Sequence, residues 1–80
     1  MFWPLEMVIS EDKFLQEIGM LIKKLREQKG LSQEDLANDC NIPKSQIGRI
    51  ERAEINTTLR TIYKIANALQ VKPSELLVIE

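Results

Sequence analysis

The chain has 80 residues, 44% hydrophobic and 29% charged, with no histidine, one cysteine and a formal net charge of -1. That composition suits one small folded domain and argues against a disordered chain, a disulfide-stapled scaffold and any chemistry resting on an imidazole. The lone Cys40 suits a small buried apolar role in a reducing, cytoplasmic setting, and no run reaches membrane-spanning length.

The first nine residues, "MFWPLEMVI", form an apolar arm. It lacks a basic leader and contains Glu6, so it does not read as a signal peptide. A domain over residues 10–80 follows. Phe14, Leu15, Ile18, Leu21, Ile22 and Leu25 recur at helical spacing and predict a first helix over about 11–29. Ser10 is placed to cap it, Glu11 and Asp12 suit its positive end, and Gly30 is the stop. Gly19 reads as a close-packing site against a neighbouring helix. "LSQEDL" is a second start: Ser32 and Asp35 form an acidic capping box, and Leu31 and Leu36 a hydrophobic staple. That short helix stops near Asn41, a residue that tolerates a left-handed backbone.

Pro43 fits the first turn of a third helix, with Ile47 and Ile50 turned to the core. On a helical wheel Ser45, Gly48, Arg49 and Arg52 lie opposite them, with Lys44 at the margin. Asn56, Thr57 and Thr58 form a loop and cap. Leu59, Ile62, Tyr63, Ile65, Ala66 and Leu69 mark a fourth helix, with Tyr63 and the leucines expected in the core. Pro73 opens a short fifth helix holding Leu76 and Leu77. The fold class is all-α, a compact bundle of five short helices.

Charge is unevenly spread: residues 1–17 carry a net -3, residues 18–72 a net +4 and residues 73–80 a net -2. Taken singly, Lys23, Lys24, Arg26, Arg60 and Lys64 read as solvated surface. The third helix is more informative. Small residues let a helix backbone approach another surface, and arginines reach guanine edges bidentately or phosphates singly. A short helix, a turn at Asn41 and this helix together make a helix-turn-helix over 32–52.

The stretches "LREQKGLSQEDLA", "IGRIERAE" and "IYKIANALQV", in that order and spacing, resemble the lambda-repressor-like, or Cro/XRE-type, helix-turn-helix domain. The resemblance covers residues 18–77. It implies a transcription regulator that binds double-stranded DNA sequence-specifically, a repressor on a palindromic operator, acting as a homodimer without cofactor, metal or catalytic residues. It implies that Lys44, Ser45 and Arg49 read base edges. It implies that Gln33, Arg52, Asn56, Thr57 and Thr58 meet the phosphate backbone. Gly48 is expected on the exposed face, where the backbone comes close to DNA. Three departures stand out. Asn41 replaces a common glycine. Pro43 replaces a common Ser or Thr cap. Ala53 replaces the usual glycine after "ER", and is strained if its φ is positive. An antitoxin with a toxin partner, a restriction–modification controller and a protein-interaction module without DNA binding remain alternatives. The apolar chain ends, Phe2, Trp3, Leu5, Val8 and Ile9 with Leu77, Val78 and Ile79, are the expected dimer surfaces.

Overall fold

A computed structural model describes residues 10–77. The expected interface residues at positions 2–9, and Val78 and Ile79, lie outside them. Four α-helices follow in order: α1 (Glu11–Gln28), α2 (Gln33–Cys40), α3 (Lys44–Glu51) and α4 (Leu59–Leu69). The fifth element is a 3-10 helix, Pro73–Leu77. It begins where the Glu75 carboxylate accepts the Lys72 N–H at 2.7 Å. Among the described residues there is no strand, and no helix is long and apolar enough to cross a membrane.

The starts of three α-helices follow from local chemistry. The Ser10 hydroxyl accepts the Lys13 N–H, and Thr58 accepts the Thr61 N–H. Ser32 and Asp35 form the reciprocal box, each side chain accepting the other's backbone N–H at 2.9 Å. The Ser32 N–H, and after it the Ser32 hydroxyl, hold the Asp35 carboxyl below its ordinary pKa, because hydrogen bonding to the carboxylate favours the ionised form. α3 differs: Pro43 stands just outside the helix as its N-cap, with no side-chain bond to the first turn.

All four α-helices end in one motif. Gly30, Asn41, Ala53 and Gln70 have left-handed φ angles of 71, 58, 60 and 60°. In each case the next N–H bonds back five residues: Leu31 to Arg26, Ile42 to Ala37, Glu54 to Arg49 and Val71 to Ala66. One of the four is glycine. Ala53 therefore carries the strain that its departure from glycine foreshadowed. A left-handed alanine costs about 1–2 kcal/mol, partly offset because glycine gains more freedom on unfolding. Ala53→Gly should raise stability by about 0.5–1 kcal/mol, a rise of several degrees in Tm. An unchanged or lower melting point would show that the strain is relieved elsewhere.

The core joins Ile18 and Ile22 of α1 to Leu36, Ala37 and Cys40 of α2, Ile47 and Ile50 of α3, and Ile62, Ile65, Ala66 and Leu69 of α4, closed by Leu76. Each fully buried Leu or Ile contributes roughly 1.5–3 kcal/mol. The Cys40 thiol points to the Lys64 carbonyl at 3.6 Å, and burial pushes its pKa up. Gly19 sits where α1 crosses the end of α3: a Cβ there would lie 2.6 Å from the carbonyl oxygens of both Ile50 and Glu51. The expected close-packing glycine is thus a backbone-on-backbone contact.

Three core assignments are corrected. Tyr63 is 59% exposed and Leu59 78% exposed. Both lie on the apolar stripe of α4, but the core reaches only part of that stripe. Leu77, at 41%, is also outside the core.

Candidate nucleic-acid interface

α2 and α3 are joined by the left-handed Asn41, whose tight reversal places the two helices against one another. α3 buries Ile47 and Ile50. Lys44, Ser45 and Arg49 are exposed on its outer side, where the wheel put them. Arg52 follows as the residue ending the helix and is also exposed. Gln33, the first residue of α2, is half-buried beside α3. Asn56 and Thr58 are exposed in the segment before α4, and Thr57 between them is half-buried. The Thr57 hydroxyl oxygen is buried without a hydrogen-bond partner. The Thr58 hydroxyl is committed to the start of α4.

Gly48 is a correction. It is buried rather than exposed. A Cβ there would lie 3.0 Å from Nη1 of Arg52 and 3.4 Å from Oε1 of Gln33. Two long side chains from neighbouring positions lie across the glycine and cover it. Its missing side chain makes a bed for the Arg52 guanidinium, with the Gln33 amide alongside. Alanine at this position would push on the far end of a flexible side chain rather than on backbone.

Arg26 is a second correction: it is buried, not solvated. Its Nε donates to Glu51 at 2.7 Å and its Nη2 to the other carboxylate oxygen at 3.1 Å. Its Nη1 donates to the Leu31 carbonyl at 2.8 Å. Glu51 also accepts from Nε2 of Gln33 at 3.0 Å. Hydrogen bonding to Glu51 raises the pKa of Arg26, outweighing the opposing effect of burial. This chain of bonds ties α1, the α1–α2 turn, the start of α2 and the end of α3. It fixes the amide of Gln33: one face is held by Glu51, and Oε1 is turned towards Gly48. The sequence signals for it are faint, a basic residue in the last turn of α1 and the acidic residue of "RIER", 25 positions apart.

At the end of α3, Arg52 pairs with Glu54 through Nε at 2.6 Å and Nη2 at 3.4 Å. The hydrogen bond from Arg52 holds the Glu54 carboxyl below its usual range. Among the described residues no group of three or more His, Cys, Asp or Glu side chains could hold a metal ion. The surface around α3 instead offers cationic and amide donors on a convex helical edge. Such an edge matches the width of a DNA major groove.

Known proteins share this arrangement of helices. A family model described as Helix-turn-helix matches residues 22–76. The chain is 42% identical over 54 residues to the HTH-type transcriptional regulator SutR of Escherichia coli, covering 68% of this chain and 30% of that protein's length. The crystal structure of the restriction–modification controller protein C.AhdI from Aeromonas hydrophila superposes with a TM-score of 0.76 at 42% identity, covering 78% of this chain and 94% of that one. SinR, a master regulator of biofilm formation solved in complex with DNA, superposes with a TM-score of 0.73 at 34% identity, covering 76% and 98%. With two helices joined at Asn41, and a family match running from α1 into the 3-10 helix, the chain belongs to the Cro/C1-type helix-turn-helix family.

Proposed function

We propose that the chain is a cytoplasmic transcription regulator that binds double-stranded DNA sequence-specifically and acts as a repressor on a two-fold symmetric operator. The observation that carries this reading is α3: its inner side is locked into the core while Lys44, Ser45 and Arg49 stand free on its outer side. In this reading Lys44, Ser45 and Arg49 contact base edges in the major groove. Gln33, Arg52, Asn56, Thr57 and Thr58 contact the backbone that flanks it. Gly48 admits the duplex indirectly, by keeping the Gln33 and Arg52 side chains low over α3 rather than by exposing its own backbone.

A dimer is part of the proposal, because one reading helix spans few base pairs and two-fold symmetry doubles the contacts. Leu59, Leu77 and Phe14 rim an apolar hollow between α1, α4 and the 3-10 helix, and this supports that face as the meeting surface. A controller role at a restriction–modification locus is a second reading. It is favoured by the likeness to C.AhdI, a restriction–modification controller protein, at 42% identity and a TM-score of 0.76.

The test is selection of bound duplexes from a randomised pool, followed by titration. A two-fold symmetric consensus should emerge, with half-site centres about 34 Å apart and binding that weakens as salt rises. Arg49→Ala should then cost about 1–3 kcal/mol of discrimination at one base pair of each half-site. A pool that yields no consensus, or affinity indifferent to salt, would favour the protein-interaction alternative. Sedimentation of the selected complex as one chain per duplex would remove the dimer.

A further inference from the structure

The Arg52–Glu54 pair lies where the DNA backbone is placed by the proposed function, and it leaves Arg52 little to offer. Glu54 occupies the Nε and Nη2 edge of the guanidinium at 2.6 and 3.4 Å. Nη1 rests on the bed at Gly48, 3.0 Å from where a Cβ would stand. A guanidinium binds a phosphate best through two parallel N–H groups on one edge. One such edge is taken by a carboxylate, and the other lies against α3. The position of Glu54 is set by backbone: its N–H is bonded to the Arg49 carbonyl at 2.8 Å behind the left-handed Ala53. Both partners remain open to solvent, with side-chain exposures of 57% and 49%, so exchange of one anion for another is sterically free.

We propose that Glu54 is a built-in competitor for the phosphate that Arg52 binds, and that it holds down affinity for DNA of every sequence. This rests on the reading of the chain as a DNA binder. In the free protein the carboxylate neutralises Arg52, so a chance encounter with duplex gains little from that position. On the operator, base contacts from α3 hold the backbone close enough for phosphate to replace Glu54 on the same nitrogens. The consequence is a specificity residue that need not touch a base: it trims non-specific binding, in which no base contact supports the exchange.

The experiment compares the parent chain, Glu54→Gln, Arg52→Gln and the double variant on a short duplex of random sequence across a salt series, with melting curves as the check on folding. Glu54→Gln should bind about two- to fivefold tighter, the factor matching release of an exposed ion pair. Its log–log salt slope should steepen by about 1, one more phosphate neutralised. Arg52→Gln should bind more weakly than the parent, and Glu54→Gln should add nothing in that background. Equal or weaker binding by Glu54→Gln overturns the proposal, the weaker result meaning that Glu54 orients Arg52. A gain that persists without Arg52 also overturns it, since general charge would then be the cause. Absence of any duplex binding by parent and variants alike sinks the DNA-binding reading and the proposal with it. That result is distinct from a parent that binds and a Glu54→Gln that binds no better.

Discussion

Gly19→Ala should destabilise the fold by about 2–3 kcal/mol, the upper part of the usual range for overpacking. Helix propensity alone predicts the opposite sign, a gain of about 1 kcal/mol for alanine in a helix interior. The crossing decides: the added methyl would meet two backbone carbonyls at 2.6 Å, and neither can move as a side chain would. The Ile50 carbonyl also accepts the Ala53 N–H at 3.0 Å, so pushing it disturbs the end of α3. α1 and α3 would have to separate, loosening Ile18 and Ile22 from Ile47 and Ile50. Urea denaturation of the two proteins measures this. An alanine variant as stable as the parent would mean that the helices part without cost and that the crossing is not tight.

The second large effect belongs to Arg26 and Glu51. Removing either partner strands the other charge inside the protein, and breaking a buried pair in this way costs about 3–5 kcal/mol. A domain of this size has a total stability of only about 5–15 kcal/mol. Arg26→Met or Glu51→Leu alone should therefore leave a substantially unfolded population on mild warming. Replacing both at once, Arg26→Met with Glu51→Leu, should cost less than either single change, because no charge is left unpaired. Denaturation midpoints of the four proteins give the coupling directly. If the double variant loses the sum of the single losses, the two side chains act independently and the network is not a unit.

What the sequence disclosed and what it concealed divide by range. Helix starts at Ser10, Ser32 and Thr58 were legible because the cap hydroxyl and the backbone N–H that donates to it lie three residues apart. The strain at Ala53 was legible because glycine is the natural residue for a left-handed helix end. The inward side of α3 was legible from its period. Arg26 was not: nothing within a helical turn distinguishes an arginine that reaches Glu51 across the bundle from one that reaches water. Gly48 was misjudged for a related reason. A wheel shows which way a position points, but not that Arg52 and Gln33 lie over it. Tyr63 and Leu59 belong to a regular apolar stripe, and periodicity cannot tell where along a stripe the core ends. The residues assigned to base edges and phosphate came from the family pattern rather than from local chemistry. Of the residues assigned to base edges, Lys44, Ser45 and Arg49 are all exposed.

The contact at Gly19 reaches beyond stability. α1 grips α3 by its carbonyl oxygens, which every residue possesses, so this part of the seating of α3 does not depend on its side chains. What remains is held by Ile47, Ile50 and Glu51, all on the inner side. Positions 44, 45 and 49 are left with no part in the core. Under the proposed function, a lineage built on this scaffold could exchange those three residues, acquire a new operator and keep the same bundle. Mutational drift at the reading surface would then change the address without changing the architecture.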